Sequence, residues 1–155
     1  MEFNAAFGKN RSNYNDNMRN NTIAFCPRLK DVDFTSADFR IFDLNNYNKN
    51  DFLYVDPPYL IANADYNAGR TAKLSWNATD EKAIHNFLDD ATALGLKWGM
   101  SNFIKHKNNV NTITEEWARK HDYNIYNIKA DYSKLTTKVE RVAEPTLEVL
   151  ITNYD

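Results

Sequence analysis

The sequence predicts an α/β fold on three observations. A short apolar run, Phe52 to Val55, stops abruptly at Asp56-Pro57-Pro58-Tyr59. An amphipathic pattern follows from about Thr79 to Leu94, and a second strand-like run, Lys97 to Ser101, begins just after Gly95. Strand, helix and strand in that order describe a crossover unit with parallel strands.

Residues 1–22 are polar and aromatic without a clear period, which predicts loop. Thr22 to Phe25, ahead of Pro27, reads either as a strand or as the start of a helix. Val32 to Phe34 predicts a short strand, with Asp38 and Phe39 in the turn at its end, and Phe39 to Leu44 a short helical turn. Phe52 to Val55 predicts a buried strand. Two consecutive prolines cannot continue a sheet ladder, so the turn after it is stiff. Leu60 to Trp76 predicts a long loop, of the kind that carries function or mobility. In the helix, Ile84, Phe87, Leu88, Ala91 and Leu94 share one face. Thr79 is the expected cap, Asp80 and Glu81 suit the positive end, and Gly95 is the stop. Thr112 to Lys120 predicts a shorter helix with Ile113 and Trp117 inward. Tyr123 to Ile128 and Leu147 to Thr152 predict strands joined by a polar loop.

The length of 155 residues allows one domain with a modest core. A hydrophobic content of 43% with 14% aromatics excludes a disordered chain. No apolar stretch has the length of a membrane span, and no signal peptide is visible. The lone Cys26 excludes an internal disulfide, and His85, His106 and His121 show no metal-ligand spacing, so no metal is expected. These features fit a reducing cytoplasm. The net charge of −2 is awkward for a nucleic-acid binder, but it is unevenly spread. Residues 1–30 carry Lys9, Arg11, Arg19, Arg28 and Lys30 against Glu2 and Asp16. Two further basic stretches run from Ile104 to Asn109 and from Lys134 to Arg141.

The turn at Asp56 holds an acid, a backbone carbonyl and a π-face where a strand ends. In open α/β sheets that is where ligands bind. Such a set suits a flat base bearing an exocyclic amine. The plainer reading is a Pro-Pro turn on which Tyr59 simply packs.

Phe52 to Tyr59 resembles the catalytic motif of Dam-type DNA adenine methyltransferases. Phe34 to Phe39 resembles the family's segment that holds the cofactor's adenine, and Leu96 to Asn102 the strand after the catalytic loop. Leu147 to Tyr154 resembles the closing strand, and Phe3 to Lys9 the tail of the target-recognition region. The resemblance covers nearly the whole chain. It departs from the family at the glycine-rich cofactor turn: the four glycines, Gly8, Gly69, Gly95 and Gly99, include no pair close enough to form one.

The resemblance implies a Rossmann-like, S-adenosylmethionine-dependent methyltransferase fold. It would be incomplete, lacking the first two strands. Residues 1–30 would be a remnant of the recognition region and residues 31–155 the C-terminal part of the catalytic domain. The family's sheet runs third, second, first, fourth, fifth, seventh, sixth strand. Val32 to Phe34 would be the third, and Phe52 to Val55 the fourth, with one neighbour missing. Asp56, Pro57, Pro58 and Tyr59 would be catalytic, and Asp38, Phe39 and Asp56 would contact S-adenosylmethionine. From the residues alone, Asp38 caps a turn and Phe39 belongs to the core. Asn102 and Phe103 would line the same crevice. Arg11, Lys73, Lys105, Lys107, Lys138 and Arg141 would contact the phosphates of double-stranded DNA. An N-terminal partner chain or self-association would cover the open edge. The implied setting is bacterial or phage-encoded restriction-modification. Two alternatives stay open: an inactive remnant with residual DNA binding, and a methyltransferase acting on RNA or on a protein amide.

Overall fold

The computed structural model of the chain describes residues 15–61, 76–128 and 146–155. The chain divides into two compact units between Asp38 and Phe39.

In the first unit, helix α1 spans Asp16–Phe25. Asn15 caps it, its side chain accepting from the Met18 N–H at 3.0 Å, and Asp16 lies at the positive end. The expected loop therefore gives way to helix from residue 16. A 3₁₀ turn, Cys26–Leu29, follows with Pro27 at its start, where a missing N–H costs nothing. The strand expected at Val32 to Phe34 is absent. The Val32 N–H bonds back to the Leu29 carbonyl at 3.1 Å, and Phe34 is 77% exposed. β-prone residues without a sheet neighbour have nothing to pair with.

The second unit opens with 3₁₀ turns at Phe39–Ile41 and Leu44–Asn46. Strand β1 is Phe52–Val55, helix α2 is Ala78–Ala93 and strand β2 is Lys97–His106. The short strand β3, Asn109–Val110, folds back on the end of β2. Helix α3 is Thr112–Lys120, and strands β4 and β5 are Asn124–Ile128 and Leu147–Thr152. The sheet order is β1-β2-β5-β4. β1 and β2 are parallel; β5 runs antiparallel to both β2 and β4. β2 runs five residues beyond the expected Ser101 because β5 pairs with it as far as Lys105, past the end of β1.

The core lies between one face of this sheet and the two helices. Leu88, Ala91, Leu96, Trp98, Met100, Ala118, Val149 and Ile151 are almost wholly buried there. Burial of Leu88 alone contributes about 2 kcal/mol. Helix α2 starts at Ala78, one residue before the expected Thr79. Asn77, not Thr79, is the cap: its side chain accepts from the N–H groups of Thr79 and Asp80, and the Asp80 carboxylate accepts from the Asn77 N–H. This reciprocal pair satisfies donors that a lone threonine would leave open. Gly95 ends the helical segment with φ +77°, in the region that favours glycine. Among the described residues, no helix is long and apolar enough to cross a membrane.

His85 is buried between α2 and α3. Its ring stacks on Trp117 with centroids 4.0 Å apart. Its Nε2 lies 3.2 Å from Thr114 Oγ1, which itself donates to Glu81. The histidine must then donate, which places a proton on Nε2 of a neutral ring. Burial lowers its pKa from 6.5 to about 4; Glu81 and Asp89 oppose that shift and His121 adds to it. A base depressed on folding binds fewer protons in the native state, so its stability term is complete above pH 6.5. That term is lost as the pH falls toward about 4. The urea midpoint should therefore fall between these limits, and His85→Gln should flatten the slope above pH 5. Equal slopes for both proteins would show that the histidine is not buried neutral.

Candidate active site

The alternation of β1 sets the site. Leu53 and Val55 pack against the core, so Phe52 and Tyr54 point to the other face, where they are 52% and 63% exposed. Tyr54 pairs with Gly99 and Val55 with Met100, which places Ser101 level with Asp56. The Ser101 hydroxyl donates to Asp56 Oδ1 at 2.9 Å. The Tyr54 hydroxyl lies 3.3 Å from Ser101 Oγ and donates to it. Pro57 is buried and seats the turn, while Asp56 and Pro58 are exposed.

Tyr59 returns over the strand ends. Its hydroxyl donates to Asp56 Oδ1 at 3.0 Å and lies 3.4 Å from Glu148 Oε1. Its ring meets Phe103 with centroids 4.4 Å apart at 50°. Phe103 in turn stacks on His106 at 5.4 Å. Burial pushes the Tyr59 phenol well above its ordinary range, and the charges of Asp56 and Glu148 push it the same way. It therefore stays a donor at working pH. Both bonds to Asp56 land on Oδ1, which leaves Oδ2 as a further acceptor. The site joins an acid, a rigid turn and an aromatic face at the carboxyl end of β1, beside the middle of the parallel strand β2.

Residues 1–134 match the model for D12 class N6 adenine-specific DNA methyltransferases. The chain belongs to this family. It is 38% identical over its whole length to Modification methylase StsI of Streptococcus sanguinis, covering 24% of that protein. It is 34% identical over 99% of its length to Type II methyltransferase M.FokI of Planomicrobium okeanokoites, again covering 24%. Against Modification methylase LlaI of Lactococcus lactis subsp. lactis it is 27% identical over 99% of the chain and 23% of the relative. The chain thus spans about a quarter of the length of the curated relatives it matches.

The other described candidate positions of this D12-class chain lie on separate segments. Phe39 packs on Phe87 at 5.8 Å and on Trp76 at 6.1 Å, with the Arg40 guanidinium over its ring. Asp38 is exposed at the end of the first unit. Lys105 is exposed near the end of β2, and Lys107 is exposed in the turn to β3 with φ +55°. Arg11, Lys73, Lys138 and Arg141 lie outside the described residues. Among the described residues, no group of His, Cys, Asp and Glu is arranged to hold a metal. A cavity of about 610 Å³ opens on the helix-bearing face, lined by Ile104, Arg119, Tyr123, Ile125 and Val149 among others, and includes none of Asp56, Pro57, Pro58 and Tyr59. Sequence reasoning missed the roles of Tyr54, Ser101 and Glu148 around Asp56. Their contacts depend on strand register, which spacing alone does not give. For Ser101 the signal was present, since parallel pairing after the crossover helix brings the end of its strand beside the end of β1.

Proposed function

We propose that this chain carries the catalytic end of an adenine-specific DNA methyltransferase. The reaction moves a methyl group from S-adenosylmethionine to the exocyclic amine of an adenine flipped out of double-stranded DNA. The observation that carries this reading is the Asp56 carboxylate, with one oxygen held by Ser101 and Tyr59 and the other left to the substrate. The amine of adenine is a poor nucleophile because its lone pair is delocalised into the ring. Acceptance of its two hydrogens by Asp56 Oδ2 and the Pro57 carbonyl favours a pyramidal nitrogen with a more available lone pair. Tyr59 stacks the extruded base, and Phe103 backs its ring. The donor supplies the electrophilic methyl group. The protein contributes position and fixed charge.

The sheet supports the same reading. Its order β1-β2-β5-β4, with β5 antiparallel to both neighbours, matches the fourth, fifth, seventh and sixth strands of the methyltransferase sheet. The described residues fit the transfer end of a donor site. They do not fit its methionine end: Gly95 ends a helical segment and Gly99 sits inside β2 against Phe52, so neither forms a cradle. A glycine-rich turn from an N-terminal segment or partner chain would complete the site. Asp38 and Phe39 would hold the donor's adenine. The basic residues Arg11, Lys73, Lys105, Lys107, Lys138 and Arg141 would contact phosphates. The setting proposed is the cytoplasm of a bacterium, in restriction-modification.

The test is methyl transfer from labelled donor to adenine-containing duplex, with RNA and a glutamine peptide as rival acceptors. The chain is assayed alone and together with a glycine-rich N-terminal segment. Label in duplex adenine supports the proposal; label only in RNA or peptide overturns the substrate, and no label in any arm points to a remnant. In the active form, Tyr59→Ala should lose about 5- to 150-fold in turnover, the worth of one stacked base. Tyr59→Phe should lose much less, since it keeps the π-face and gives up only the hydroxyl's contacts with Asp56 and Glu148. Equal losses would place the role in the hydroxyl.

A further inference from the structure

Glu81 lies in the first turn of α2 with no exposed surface. An isolated buried carboxylate is costly unless hydrogen bonds satisfy it. Here four neutral side chains donate to it. Oε1 accepts from Asn102 Nδ2 at 2.9 Å, Asn111 Nδ2 at 2.9 Å and Thr114 Oγ1 at 2.5 Å. Oε2 accepts from Trp76 Nε1 at 2.5 Å. These donors come from the segment before α2, from β2, and from the cap and first turn of α3. His85 Nε2 is 3.9 Å away, and its ring is held neutral by burial. An apolar residue at this position would fill the space without a charge to satisfy, so the carboxylate needs another explanation.

Asn102 supplies it. Its side chain reaches Glu81 on the helix-bearing face, and its Oδ1 accepts from the Phe103 N–H at 2.8 Å. Alternation sends its neighbours Ser101 and Phe103 through to the opposite face. Ser101 holds Asp56, and Phe103 backs Tyr59. Directly beyond, the pairing of β2 with β5 shifts register between Phe103 and Lys105. The ladder is locally disrupted at such an irregularity, and a slip of one residue exchanges the two faces.

We infer that Glu81 is a positioning residue: through Asn102 it pins β2 from behind the sheet, so that Ser101 and Phe103 hold Asp56 and Tyr59 in place. This deepens the proposed function, since it states what keeps that site assembled. Glu81→Gln keeps the shape but must turn one amide hydrogen-bearing face toward donors.

The test uses the chain labelled with 3-fluorotyrosine, with the Tyr59 resonance assigned by Tyr59→Phe. Glu81→Gln and Asn102→Ala should each move that resonance toward its value in unfolded protein. The double variant should move it no further, because the two residues act as a unit. Ala91→Gly, which destabilises the same helix away from Asn102, and Thr114→Val, which removes a different bond to Glu81, should leave it in place. If Glu81→Gln fails to fold, Asn102→Ala reads the same route. An unmoved Tyr59 signal in Asn102→Ala, or an equal movement in Thr114→Val, overturns the inference. In the active methyltransferase, kcat should fall about 10- to 100-fold in Glu81→Gln, as expected for a small misplacement of reacting groups. Movement of the resonance without methyl transfer by any protein, wild type included, would remove the proposed activity and leave the positioning role standing.

Discussion

Asp56→Ala is expected to cost on the order of 100- to 1,000-fold or more in methyl transfer, the scale seen when one preorganised polar group is removed from a reacting centre. The fold should survive. Asp56 is exposed at a strand end, outside the core. The main stability cost is the lost acceptor for the buried Ser101 hydroxyl, about 1 kcal/mol. Asp56→Asn is the sharper variant. Its carbonyl oxygen can replace Oδ1 and keep the bonds from Ser101 and Tyr59. Its NH₂ then stands where Oδ2 was, and offers a donor to a substrate amine that is also a donor. Asparagine should therefore match alanine in lost turnover while nearly matching wild type in melting temperature. Turnover near wild type for either variant, on adenine-containing duplex, would remove Asp56 from the chemistry.

Segments whose local signals agree with their surroundings were legible in the sequence. The strand Phe52–Val55, the helix Thr112–Lys120 and the strand Leu147–Thr152 fall where apolar spacing places them. Legibility failed where a distant segment decides. Val32 to Phe34 has β-prone residues but no neighbour to complete a ladder. Asn77 outranks Thr79 as a cap because Asp80 answers it, a cooperation that single-residue preference does not reveal. Glu81 reads as an acid suited to a helix start, yet Trp76, Asn102, Asn111 and Thr114 bury it. At the candidate site, the turn Asp56 to Tyr59 announces itself because prolines restrict the backbone. Its support does not: Ser101 is 45 residues from Asp56 and Glu148 is 89 from Tyr59. Only register brings them together.

The largest expected effect on the chain by itself concerns the sheet. Among the described residues, β1 pairs on one side only, with β2. The face that carries Asp56 also exposes Phe52, Tyr54, Tyr126 and Ile128. An apolar strand with unpaired backbone groups is a template for another chain. Phe52 packs edge-on against Tyr154 at 5.9 Å, which shields only part of its ring. The chain alone should therefore sediment above its monomer mass of 18.0 kDa. Calorimetric titration with S-adenosylmethionine should show no saturation up to about 1 mM, an affinity of roughly 4 kcal/mol. The reason is that the described glycines form no cradle for the donor's methionine end. Phe52→Lys places a charge on the open edge and should shift the sedimentation profile toward monomer without restoring donor binding. Those two outcomes separate the edge from the missing cradle. A monomeric wild-type chain that binds the donor tightly would contradict both, and would mean that its own residues build the cradle.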